Sequence, residues 1–153
     1  MYGDAVVMNG IEKDSYCDTA LYGDNGDGTI SVHNYASMYS PNGTDVYTID
    51  GMAFQKDPEE PGKLTVKFDP ESDGSPFPAP YWVLGLGPED ENGLYSWAIV
   101  SDNLSVFLFV LARDVEEFNE KYDEEVSSLL TDLGFIGRSA PIPVYQGTDC
   151  VYE

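Results

Sequence analysis

The sequence predicts an all-β fold, a closed up-and-down antiparallel barrel with one α-helix packed outside it. Three observations carry this. Short apolar segments recur at regular spacing with turn residues between them. One acidic segment with an apolar stripe lies in the stretch between Gly93 and Gly134, which holds neither glycine nor proline. The segment "LSVFLFVL", Leu104 to Leu111, is apolar on both faces, as a strand would be with a helix outside it and a core or ligand inside. "YWVLGL", Tyr81 to Leu86, has the same character. A two-sheet sandwich is the alternative architecture.

Period-two alternation and β-branched or aromatic content place strands at Cys17–Tyr22, Thr29–Tyr35, Asp45–Gln55, Lys63–Phe68, Tyr81–Leu86, Leu94–Val100, Leu104–Ala112 and, briefly, Ile142–Gln146. A further strand is expected within Met1–Met8. Asp27-Gly28 and Asn42-Gly43 sit where tight hairpin turns belong. The acidic, proline-rich stretches 56–62 and 69–80 read as loops. The helix is expected over Val115–Leu133. Asp114 is its N-cap, Glu117 completes a capping box, and Gly134 ends it. Val115, Phe118, Tyr122, Val126, Leu129, Leu130 and Leu133 form its apolar stripe.

The 153 residues suit one domain, 1–153. Lys and Arg total 7 against 28 Asp and Glu, a net charge of -21, or about one uncompensated negative charge per seven residues. Nucleic acid is excluded as a partner, because phosphate contacts need clustered cations. Anionic lipid surfaces are disfavoured for the same reason. A hydrophobic content of 42% with 13% aromatics argues against disorder and for a real core. No apolar run approaches a transmembrane span, and Met1–Met8 has no signal-peptide pattern.

Several motifs fail on inspection. "GDNGDGTIS", Gly23 to Ser31, is not an EF-hand: with Gly28 at the loop glycine, Gly23 and Asn34 occupy the first and last ligand positions. It reads as a hairpin turn. His33, the only histidine, shares a strand face with Thr29 and Ser31, opposite Ile30, Val32 and Asn34, and is expected to face outward. No phosphate loop, nucleophile elbow or zinc helix occurs, so no metal, cofactor or catalytic set is expected. Sequons occur at Asn42 and Asn103 and would matter only in a eukaryotic secretory pathway. The two cysteines, Cys17 and Cys150, read either as two buried thiols or as one disulfide tying the tail to an early strand.

Through "CDTALY", "DGTISVHN", "GKLTVKF", "APYWVLGL", "YSWAIVSD" and "FVLARD", in that order, the chain resembles the lipocalins. It is most similar to the group containing apolipoprotein D, the bacterial outer-membrane lipocalin and the plant temperature-induced lipocalins. The resemblance spans roughly Tyr2 to Cys150. It implies an eight-stranded barrel carrying a small hydrophobic ligand: a fatty acid, lysolipid, sterol or carotenoid-like pigment. It also implies that Cys17 and Cys150 are bonded, and hence an extracytoplasmic or secreted setting, the plastid lumen being one such oxidising compartment. The family's Gly-x-Trp motif would fall just before Met1 and is absent, although Arg113 matches the arginine that packs over it. Either the sequence is truncated or the barrel bottom is closed differently.

Alternation then assigns ligand contacts. Ile30, Val32 and Asn34 are expected to point inward, as are Ala20, Tyr22, Phe68 and, opposite the helix-covered face, Phe107, Phe109 and Leu111. Tyr81 and Val83 match family pocket positions, which leaves Trp82 and Leu84 for the helix side. The family also implies that Asn34 bonds a ligand's polar group. The site expected from the sequence is therefore Tyr22, Ile30, Val32, Asn34, Phe68, Tyr81, Phe107, Phe109 and Leu111. The leading function is transport of a hydrophobic ligand. The alternatives are a lipocalin-fold enzyme like violaxanthin de-epoxidase, whose cysteine-rich accessory domain is missing here, and an accessory subunit with a filled barrel.

Overall fold

The computed structural model describes residues 2–3, 8, 13–71 and 77–152. Among the described residues the chain forms nine antiparallel strands and two α-helices. It divides into two compact units.

The first unit comprises Asp14–Trp82 and Tyr145–Glu153. It contains β2 (Ser15–Asp24), β3 (Thr29–Met38), β4 (Val46–Gln55), β5 (Lys63–Phe68) and the first half of β6 (Ala79–Leu86). These strands pair in sequence order. The β2–β3 hairpin closes as expected. Asp24 and Asp27 carboxylates accept the backbone N–H of Gly26 and Thr29, and Gly26 and Gly28 take positive φ of 74° and 88°. At the other end of β2 the register shifts between Tyr16 and Thr19, and Cys17 adopts φ 59°. This bulge turns Cys17 towards the C-terminal tail. Cys17 and Cys150 form the disulfide that the family resemblance implied. The tail is also held by backbone bonds from Cys17 N–H to Tyr145 and from Val151 N–H to Pro41, and by the Tyr35 hydroxyl donating to the Val151 carbonyl.

The second unit comprises Met1–Lys13 and Val83–Val144. It holds the rest of β6, then β7 (Trp97–Ser101), β8 (Leu108–Ala112), β1 (Tyr2–Gly3) and β9 (Ile142–Pro143), paired in that order. Trp97, Ile99, Leu108 and Val110 are buried against Phe118, Val126, Leu130 and Phe135, so the helical stripe covers one sheet face. Tyr2 packs edge-on to Phe118, and its phenol donates to the Asp123 carboxylate. Burial, then that carboxylate, pushes the Tyr2 phenol up to about 12.

Five expectations need correction. The helix is not continuous: α1 spans Val115–Lys121 and α2 spans Asp123–Asp132, with Tyr122 at φ -121° between them. The break sets Asp123, Glu124 and Glu125 in the first turn of a helix, where its dipole favours carboxylates. Asp114 caps α1 as expected. Leu133, assigned to the stripe, lies beyond α2 and is exposed. The strand expected at Leu104 starts only at Leu108, because the Asp102 carboxylate accepts the N–H groups of Val106 and Phe107 and holds a turn. Leu94–Ser96 are likewise outside β7, and the last strand ends at Pro143 rather than Gln146. Most of the strand expected within Met1–Met8 lies outside the described residues.

Candidate functional site

The register of the first unit sorts its side chains into two faces. Ala20, Asn34 and Ile49 face one another across β2, β3 and β4. Tyr22, Val32, Gly51 and Phe68 form the next row, and Ile30, Ala53, Val66 and Ala79 the next. Gln55, Leu64 and Tyr81 follow. Directly opposed residues share a face, so these rows form one apolar surface. Val32, Ala53 and Val66 are its buried centre, with Ile30, Phe68, Ala79 and Tyr81 packed against them.

This surface is concave. In a flat sheet β2 and β6 would stand four strand spacings apart, about 19 Å. Yet the Tyr22 and Tyr81 phenol oxygens lie 2.8 Å from each other, with the rings edge-to-face at 6.4 Å between centroids. The strands must curl for the two side chains to meet, and the apolar rows lie on the inside of the curl. Burial pushes both phenols above their ordinary range. For Tyr22 the bond to Tyr81 opposes that shift, whereas for Tyr81 the proximity of Tyr22 adds to it. Both stay protonated at neutral pH. Tyr22 still keeps 46% of its surface accessible, so it stands at an exposed part of this face, whose centre at Val32, Ala53 and Val66 is buried.

The opposite face mixes polar and charged side chains with large apolar ones such as Met52 and Phe54. His33 Nδ1 pairs with the Asp50 carboxylate at 2.7 Å, opposite it on β4. The Lys63 ammonium sits 4.7 Å above the Trp82 ring. Trp82 thus lies on the outer face as expected, but its described partner is Lys63. Leu84 packs into the helix-covered cluster of the second unit.

Of the residues expected to contact ligand, Tyr22, Ile30, Val32, Asn34, Phe68 and Tyr81 come together on this one face. Phe107, Phe109 and Leu111 belong to the second unit. There Phe109 and Leu111 are half-buried opposite the helix-covered Leu108 and Val110, while Phe107 precedes β8. Sequence reading left Ala53, Val66 and Ala79 out of the site. The signal lay in the register, since β4 carries its bulky Met52 and Phe54 on the outer face and only small Gly51 and Ala53 on the inner one. Among the described residues no cluster of His, Cys, Asp and Glu is placed to hold a metal. Arg113 Nε donates to the Tyr95 carbonyl.

The family profile described as lipocalin-like domain matches residues 5–138. The chain belongs to the lipocalin family. No curated protein sequence matches it. The lipocalin match covers the strands that build the concave face, β2 through β6, and both helices. No helix of the described lipocalin residues is long and apolar enough to cross a membrane.

Proposed function

We propose that the whole chain acts as one lipocalin domain that binds and carries a small hydrophobic molecule, and does not transform it. The observation that supports this reading is the concave apolar face between Tyr22 and Tyr81 in a lipocalin chain. Few polar atoms converge there, as in small-molecule sites generally. The apolar bodies of fatty acids, lysolipids, sterols and carotenoid-like pigments suit this face. Each methylene buried contributes about 0.8 kcal/mol, so a long chain reaches micromolar affinity. We assign ligand contact to Tyr22, Ile30, Val32, Asn34, Phe68 and Tyr81. The disulfide supports residence in an oxidising compartment.

The test is titration with a neutral solvatochromic dye, alongside mass spectrometry of an organic extract of the native protein. Saturable binding is expected, weakened by about 1 to 3 kcal/mol in Phe68→Ala. Asn34→Leu should bind plain hydrocarbon as well or better and lose about 1 kcal/mol towards a ketone-bearing sterol. His33→Ala, on the opposite face, should match wild type. Absence of saturable binding, with no extractable lipid or pigment, would sink the transport reading.

A further inference from the structure

We propose that this face selects ligands whose polar end is an uncharged acceptor, such as a ketone, aldehyde, ester or hydroxyl, over ligands of equal length that end in a carboxylate. This deepens the transport reading and rests on it.

The first argument is the charge inventory. In the paired rows the polar side chains are Ser15, Tyr22, Asn34, Tyr47, Gln55 and Tyr81, all neutral, and one carboxylate, Asp24. Asp24 already accepts the Gly26 N–H in the hairpin. Every cation of this unit lies elsewhere. Lys67 pairs with Met52, and Lys63 with Trp82, on the outer face. Lys56 follows the end of β4 and reaches the outer-face Phe54 ring. His33 stands against Asp50. A ligand carboxylate entering the concavity would therefore lose its water and meet no positive charge from this unit, in a protein of net charge -21.

The second argument counts phenol protons. Tyr22 and Tyr81 share a single hydrogen bond, which uses one O–H of the two. Whichever phenol donates, its partner's proton is left to donate. Burial keeps both phenols protonated, so this donor persists through the physiological pH range. A carbonyl or hydroxyl oxygen accepts such a proton without bringing charge. The Asn34 amide, one row beyond Tyr22 on the same face, adds donors of the same neutral kind.

Displacement of bound Nile red by three ligands of one chain length, a methyl ketone, a carboxylate and an alkane, tests this at pH 7.5. In wild type the ketone should bind at least about 5- to 10-fold tighter than the carboxylate. Tyr22→Phe and Tyr81→Phe keep the rings and remove one hydroxyl each. Each should cut the ketone-to-alkane affinity ratio by about 5- to 10-fold. His33→Ala should leave that ratio at the wild-type value. Carboxylate binding as tight as ketone binding, or an unchanged ratio in both phenylalanine variants, overturns the proposal while alkane binding still upholds the transport reading. Failure of all three ligands to displace the dye overturns both.

Discussion

Phe68 lies against Gly51 so closely that a Cβ on Gly51 would come within 2.9 Å of the Phe68 ring and 2.6 Å of the Lys67 carbonyl oxygen. The two residues are directly opposed on β4 and β5, on the concave face. The glycine is what lets the phenylalanine ring lie over the neighbouring strand.

Gly51→Ala should therefore push β5 or the Phe68 ring outward. The expected cost is about 1 to 3 kcal/mol of stability, since the nearest contact is backbone and cannot rotate away. Denaturant unfolding measures it. A neutral or stabilising effect would mean the contact is looser than these distances state.

Asp18 is buried beside the disulfide-bonded Cys17, and the Ser15 hydroxyl donates to its carboxylate. Burial dominates and pushes its carboxyl from 3.8 up to about 6. A carboxyl raised on folding is penalised in the folded state once ionised. The penalty is complete above about pH 6 and disappears as pH falls towards 4. Asp18→Asn should therefore stabilise the protein by about 1 to 3 kcal/mol at pH 7.5 and by almost nothing at pH 4. Urea titrations of both proteins at the two pH values check this, the general acidity cancelling in the difference. A stabilisation by this substitution that grows on acidification contradicts it.

The helical stripe is expected to carry much of the second unit's stability. Leu130 is fully buried with Val126 and Phe118 against Leu108 and Val110. Leu130→Ala should cost about 2 to 5 kcal/mol. Glu124→Ala, exposed in the first turn of α2, should stay within about 0.5 kcal/mol. Thermal melts of the two variants separate the outcomes, and equal losses would show that the face assignment is wrong.

The Cys17–Cys150 bridge closes a separation of 133 residues. Cys150→Ser should lower stability by about 3 to 5 kcal/mol, the loop-entropy scale for so long a loop. The tail keeps its hydrogen bonds to the Cys17 and Pro41 backbone and to the Tyr35 hydroxyl, so the variant should still fold. Unreduced wild type should show no alkylatable thiol by intact mass. Two alkylated thiols would remove the disulfide from the account.

The sequence alone determined the strand and helix types, the order of the elements, and the inward parity of Tyr22, Ile30, Val32, Asn34, Phe68 and Tyr81. Those follow from period-two and period-3.6 patterning, which is local. It also placed His33 on the outer face, because its neighbours on β3 alternate cleanly. Local patterning could not end elements where a side chain outcompetes the backbone, as the Asp102 carboxylate does before β8. Nor could it break the helix at Tyr122, where the apolar spacing runs on unbroken. Ala53 and Ala79 became part of the site only through cross-strand register, which joins residues far apart in the chain. The meeting of Tyr22 with Tyr81 was beyond sequence reading for the same reason. Alternation says that both point to one side of a sheet, but only the curl of the strands between them brings their hydroxyls to 2.8 Å.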